Sequence, residues 1–225
     1  MKDQSNILFR DYIIEKQINF TKDHILYDFV LDMKDRYKGS DEEVNHKIKI
    51  YGRRSHTVGG FQMRGLNKRN ILDYTENDGI KPDHVKALTE FKESVVFPNI
   101  NEYIKLSETE VNEDEYLEYN SWFVYYDKSA YQKLHTHVQT SIFTMIYYLK
   151  VPVNTKDNEG DLVILDTKST FRGTRERKIT PLPGKLVIFP AYYPHGTLPF
   201  FSDEERICIV TDCHIKDKKN ANHNI

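Results

Sequence analysis

Two histidines one residue apart, His135 and His137 in Leu134-His-Thr-His-Val-Gln-Thr-Ser141, precede a strand-like apolar run, and a third, His195, closes another such run sixty residues on. In an extended chain, side chains i and i+2 face the same way about 7 Å apart, so His135 and His137 can converge on one point where a strand ends at a cavity. The run after the pair is Ile142-Phe-Thr-Met-Ile-Tyr-Tyr-Leu149. The run before His195 is Lys185-Leu-Val-Ile-Phe-Pro190, launched from the turn Leu182-Pro-Gly184. A chain with nine histidines can contain a His-x-His pair by chance. The framing is what gives this pair weight: each candidate ligand sits at the mouth of a strand, where small β-barrels and double-sheet jelly rolls keep their binding sites. Arg206 follows His195 by eleven residues. Imidazole suits iron, zinc, copper and nickel alike, so the histidines predict a metal without naming it.

Periodicity fills in the rest. Ile25, Leu26, Phe29, Val30 and Met33 fall on one face of a helix capped by Thr21 or Asp23 and ending at Lys38-Gly39. A polar segment, 39–80, holds a strand-like Lys47-Ile-Lys-Ile-Tyr51 and a turn at Gly59-Gly60. A second helix starts at Pro82, carries Val85, Leu88, Phe91, Val95 and Val96, and is expected to break or bend at Pro98. Strands are expected at 119–126, 142–151, 161–166, 177–180, 185–189 and 205–213. In the first of them Trp122, Val124 and Tyr126 share a face opposite Phe123 and Tyr125; in the last, Arg206, Cys208, Val210 and Asp212 share a face. Short strands after helices predict an α+β fold, a double-stranded β-helix (a cupin-like jelly roll) backed by N-terminal supporting helices. No linker divides the chain, so the expectation is a single domain over 1–225, with 1–117 as support and 118–216 as the jelly-roll core.

Composition narrows the function classes. The 32 Lys and Arg against 34 Asp and Glu give a net charge of -2, which supplies no global field for nucleic acid or an anionic membrane. Basic clusters at Arg53-Arg54, at Arg64 with Lys68-Arg69 and at 172–178 read as solvated loop charge. No apolar run reaches the length of a membrane span, the opening Met-Lys-Asp-Gln-Ser-Asn has no apolar export core, and there are only two cysteines, Cys208 and Cys213. The cytoplasm is the default compartment on these grounds. His214 and His223, toward the polar tail 216–225, are expected at the surface.

The motifs together resemble a known family. Trp122, His135-Thr-His137, Tyr147-Tyr-Leu-Lys-Val-Pro152, Gly160-Asp-Leu162, Pro183-Gly-Lys-Leu-Val-Ile-Phe-Pro190, His195-Gly196 and Arg206-Ile-Cys208 are similar to the pattern of the 2-oxoglutarate and Fe(II)-dependent oxygenase superfamily, in particular the oxygenases common in bacteria and their phages. The likeness covers about 118–216, with an echo at Gly59-Gly-Phe-Gln-Met63. It implies a dioxygenase that hydroxylates a substrate with release of succinate and CO2, using Fe(II) held by His135, His137 and His195 and 2-oxoglutarate held at its distal carboxylate by Arg206. Tyr125, ten residues before His135, is similar in placement to a tyrosine that helps bind the keto acid in some relatives. Substrates in the family include proteins, nucleobases and small molecules, and segments 39–80 and 154–176, the expected substrate-facing loops, carry no recognisable code.

Two departures from the family pattern stand out. The superfamily mostly has Asp or Glu where this chain has His137, so the iron is held by three histidines, or by His137 and His195 with a weak or missing third ligand, or metal binding is lost. Cys208 stands where the pattern has serine, replacing a hydroxyl donor beside the carboxylate pocket with a weak thiol donor. The alternatives to a 2-oxoglutarate dioxygenase are a cupin-like three-histidine metal enzyme that does not use the keto acid, and a non-catalytic jelly-roll binding or structural module.

Overall fold

Alternating side chains along the central strands form two apolar faces, and each is buried against a different partner. In the computed structural model, which describes residues 12–37, 56–63, 70–137, 141–152, 156–166 and 175–218, nine strands form one curled antiparallel sheet. They are β1 (Ile14–Gln17), β2 (Thr57–Met63), β3 (Glu115–His135), β4 (Phe143–Lys150), β5 (Leu162–Asp166), β6 (Arg175–Ile179), β7 (Lys185–Pro190), β8 (His195–Thr197) and β9 (Arg206–Asp217). Their order is β1-β7-β4-β9-β3-β8-β5-β6, with β2 also paired to β3. Strand β3 pairs with β9 from Glu115 to Tyr126 and with β8 at Gln132 and His135, so one strand carries the sheet from its first half into its second. Between these stretches Ser129 takes a left-handed backbone (φ 64°), and its N–H is held by the Phe200 carbonyl. The result is a jelly roll with helices on one side.

The inner face encloses one apolar cluster that includes Trp122, Val124, Tyr126, Ile146, Tyr148, Phe189, Cys208 and Val210. The outer face of the same strands, with Phe123, Tyr125, Met145, Tyr147 and Ile209, packs against the helices in a second cluster. The period-2 reading of 119–126 is therefore the observed division of the core. Helix α1 (Asp23–Tyr37) buries Leu26, Phe29, Val30 and Met33 on the outer face. Deleting a side chain as buried as Phe29 costs on the order of 3 to 5 kcal/mol.

Several sequence expectations are corrected. Of the two outcomes expected at Pro98, the helix is distorted and not ended: α2 (Pro82–Phe91) runs through a wide π turn at Lys92–Val96 into α3 (Phe97–Leu106). Proline cannot donate to the preceding turn, and a π turn next to it absorbs the lost bond. The Asn99 amide also donates to the Val95 carbonyl at 2.7 Å. Gly59-Gly60 is not a turn but lies within β2, where the pairing with β3 shifts register between Val58, opposite Tyr131, and Gly60, opposite Tyr126. Gly59 has φ +74°, and a Cβ on Gly60 would lie 2.3 Å from the Tyr125 carbonyl oxygen, so β2 lies closer to β3 than any other residue would allow. Strand β1 and the extension of β3 to His135 were not expected, and His214 is buried beside Asn120 instead of at the surface. Lys38-Gly39, the 47–51 run, the clusters at Arg53-Arg54, Arg64 and Lys68-Arg69, and His223 lie outside the described residues. Both cysteines are buried and unpaired, and no described helix is long and apolar enough to cross a membrane.

Helix α1 is tied to the sheet at its start by the Tyr147 hydroxyl, which donates to both carboxylate oxygens of Asp23 at 2.9 Å. Burial outweighs that bond and pushes Asp23 up to about 6 from an ordinary 3.8. A carboxyl whose pKa is higher in the folded state adds stability below the unfolded value, and this is lost as pH rises through the folded value. Urea denaturation should therefore show an Asp23-dependent fall in stability between about pH 4 and pH 6. Asp23→Asn, which keeps an acceptor for Tyr147, should remove that slope; an unchanged slope in the variant would contradict the assignment.

Candidate functional site

Strand β3 ends at His135, and the chain leaves the sheet through Thr136 to His137, while His195 opens β8 directly across from His135 in register. The imidazole centroids lie 4.4 Å (His135 to His195), 5.0 Å (His135 to His137) and 5.1 Å (His137 to His195) apart. One nitrogen from each falls within 4.8 Å of the others. The three histidines singled out from the sequence are thus brought together, which is the arrangement a metal ion needs.

Hydrogen bonding fixes which nitrogens face inward. His135 Nδ1 lies 2.8 Å from the Lys133 carbonyl and His195 Nδ1 lies 3.0 Å from the Tyr193 carbonyl. A carbonyl only accepts, so each of these nitrogens carries the proton and each Nε2 keeps its lone pair. His137 Nδ1 lies 2.7 and 2.8 Å from the two carboxylate oxygens of Asp212. Burial is also the main reason that His135 is pushed down to about 4 and His195 well below the ordinary imidazole value. Both are neutral at pH 7, the protonation state that ligation requires.

The cluster opens on a cavity of about 130 Å³ whose walls include Trp122, Ile146 and Val210 on the apolar side and His56, Gln62 and Gln132 on the polar side. His56 lies flat on His135, with ring centroids 4.6 Å apart and planes 8° from parallel. It comes from segment 39–80, one of the two stretches expected to face substrate.

Deeper in the barrel the inner face of β9 carries Arg206, which is 2% exposed. Its guanidinium lies over the rings of Tyr126 and Tyr148 at 5.0 and 5.1 Å and donates to the Gly160 carbonyl. Arg206 Nε and the Tyr148 hydroxyl have no hydrogen-bond partner, and no carboxylate among the described residues pairs with the guanidinium. A buried cation without an anion is costly, and a planar fork suits a carboxylate, so the Arg206 guanidinium is suited to pairing with an anionic ligand. Tyr126 is hydrogen-bonded to Thr197, two residues past His195 on β8. Residues two apart on a strand are about 7 Å apart, so Arg206 with its two tyrosines and the three histidines lie at neighbouring levels inside the sheet.

Of the other expected site residues, Cys208 is beside Arg206 and buried, and burial raises its thiol so that it stays neutral. Tyr125 is not beside Arg206. Parity places it on the outer face among the helix contacts, with the Lys34 ammonium 3.9 Å above its ring. Tyr126 and Tyr148 occupy the position beside Arg206 instead. Sequence reasoning missed them, together with Asp212 and His56. The signal for Asp212 was its shared face with Arg206; His56 had none, because only the bulged pairing of β2 with β3 brings it to the site.

Comparison with known proteins agrees with this geometry. Residues 120–212 match the profile of a family described as "Putative 2OG-Fe(II) oxygenase". A prolyl hydroxylase from Trichoplax adhaerens, solved with a fragment of the hypoxia inducible factor oxygen degradation domain, superposes with a TM-score of 0.55 at 15% identity, covering 96% of this chain and 87% of that one. The viral collagen prolyl hydroxylase of Paramecium Bursaria Chlorella virus-1, solved with 2-oxoglutarate, gives a TM-score of 0.50 at 15% identity, covering 90% of this chain and 95% of that one. At such identities the superpositions show the shared fold. No curated protein matches the sequence.

The hydrogen-bond pattern makes a direct prediction. At pH 7, long-range ¹⁵N–¹H correlation spectra of the metal-free protein should show His135 and His195 as neutral rings protonated on Nδ1. An Nε2-protonated tautomer at either position would contradict the inward-facing lone pairs.

Proposed function

We infer, for a chain that belongs to the 2-oxoglutarate and Fe(II)-dependent oxygenase superfamily, that His135, His137 and His195 hold the iron through Nε2 and that Arg206 binds the distal carboxylate of the keto acid. The chain is an oxidoreductase whose cofactor is Fe(II) and whose cosubstrate is 2-oxoglutarate. The observation that carries the residue assignment is the pairing, in one barrel, of three converging imidazoles with a buried guanidinium that lacks an anion. A three-histidine enzyme that did not use a keto acid would leave Arg206 buried without an anionic partner.

When bound, the iron and keto acid supply the oxidising chemistry that couples decarboxylation to hydroxylation. The protein supplies position. Arg206 orients the dicarboxylate, the free Tyr148 hydroxyl offers a further donor to it, and the Tyr126 and Tyr148 rings hold the guanidinium in place. Burial keeps both phenols protonated, so they remain donors. Trp122, Ile146 and Val210 keep water away from the reacting centre. His56, Gln62 and Gln132 form the polar side on which substrate arrives. Two of the solved relatives are named as prolyl hydroxylases, which makes a peptidyl proline the first substrate class to test. Balanced turnover consumes one O2 and one 2-oxoglutarate for each succinate, CO2 and hydroxyl group formed.

Anaerobic reconstitution with Fe(II), then exposure to air, should give succinate that depends on 2-oxoglutarate. His135→Ala, His137→Ala and His195→Ala should each lower Fe(II) affinity, and full metal occupancy in His195→Ala would refute the site. Arg206→Ala should keep Fe(II) while weakening 2-oxoglutarate binding by roughly 2 to 5 kcal/mol, the range for truncating one member of a buried charge pair. Unchanged cosubstrate affinity in that variant, measured by calorimetry, would remove Arg206 from the site.

A further inference from the structure

His137 differs from the other two histidines in what lies behind it. His135 leans on a backbone carbonyl of its own strand and His195 on the Tyr193 carbonyl just before β8, both neutral acceptors. Behind His137 is Asp212, 6% exposed and contributed by a different strand, with both carboxylate oxygens within 2.8 Å of Nδ1. Thr144 on β4 donates its hydroxyl to Oδ1 of Asp212 at 2.8 Å, and register pairing sets Thr144 directly across from Asp212. His137 is fixed through its backbone as well, since its N–H donates to the Ala191 carbonyl at 2.9 Å. Carboxylate, ring and supporting hydroxyl therefore form a chain anchored on three separate segments. None of this is needed to close the barrel, because the β3–β9 and β4–β9 ladders pass through Asp212 by their backbones alone.

Three neutral imidazoles leave a metal site one negative charge poorer than two histidines and a carboxylate. A carboxylate bonded to the far nitrogen of a ligating histidine fixes the tautomer, orients the ring and makes the near nitrogen a stronger donor. Resting on the metal site assigned above, we propose that Asp212 is a positioning residue that acts through His137 and supplies, from one bond further out, the negative charge that a directly ligating carboxylate would have supplied. The acidic function is thus displaced from position 137, two residues after His135, to the inner face of β9. Arg206 and Asp212 then divide that face by charge, one cation for the cosubstrate and one anion behind the metal ligand.

The test uses Co(II) as a spectroscopic stand-in for Fe(II), read by titration and by the visible d–d bands. Asp212→Asn keeps an oxygen that can accept from Nδ1 but removes the charge. Loss of such an outer partner typically costs 10- to 100-fold in metal affinity, and a loss in about that range, with a shifted d–d spectrum, is expected. In a His137→Leu background, where the ring through which Asp212 acts is gone and its space is filled, Asp212→Asn should cause no further loss. Thr144→Val leaves the charge in place but frees Oδ1, and should weaken Co(II) in the same direction by a smaller factor; it also serves as the reading should Asp212→Asn fail to fold. Parent affinity and spectrum in Asp212→Asn, or in Thr144→Val where that is the variant that folds, would overturn the inference and leave the metal site standing. A loss of equal size in the His137→Leu background would overturn it too, by showing that Asp212 does not act through the ring. If the parent protein takes up no Co(II), both the metal site and this inference fall.

Discussion

Strand β3 belongs to both halves of the sheet, and the position of every functional side chain follows from that. Twelve residues of β3 pair in register with β9, from Glu115 with Asp217 to Tyr126 with Arg206, before the left-handed kink at Ser129 turns the strand toward β8. Because side chains alternate, this single register places Trp122, Val124 and Tyr126 inside with Arg206, Cys208, Val210 and Asp212, and Phe123 and Tyr125 outside with the helices. A slip of one residue would turn Arg206 and Asp212 to the helix side, away from Tyr126 and Tyr148 and from His137. The bulge at Gly59-Gly60 adds a third strand to the ladder, bringing His56 onto His135.

The interior that results holds polar groups at two levels. At one level burial keeps His135 and His195 as neutral rings. At the next, a guanidinium lies between two phenols with a free Nε. Burying such groups costs free energy, which a cation at the histidines and a dicarboxylate at the arginine, the ligands proposed above, would offset. On that proposal metal and keto acid should each stabilise the fold by mass action.

Much of the candidate site was legible from sequence because its components lie at strand mouths. His135, His137 and His195 were identifiable from the apolar runs beside them, and Arg206 through the family resemblance. The period-2 pattern also separated Trp122 from Phe123 correctly. Likeness of placement pointed to Tyr125, but parity turns that residue away and presents Tyr126 and Tyr148. Pro98 suggested the end of a helix because local chemistry removes one hydrogen bond; the π turn that tolerates it depends on burial of Val95, Val96 and Ile100 against the sheet. His214 read as a tail residue, yet its strand continues to Asp217 by pairing with the start of β3.

The sequence by itself determined the kind of fold, the two faces of the central strands and three of the groups that can hold a metal, since these depend on local periodicity and on residue chemistry. Tertiary structure decided which charges meet. Asp212 lies 75 residues from His137 and Thr144 lies 68 from Asp212, and no local pattern connects them. They come together because β4, β9 and the end of β3 are neighbours in one curled sheet, where strand pairing, which acts at any sequence separation, sets the register that brings a carboxylate behind an imidazole.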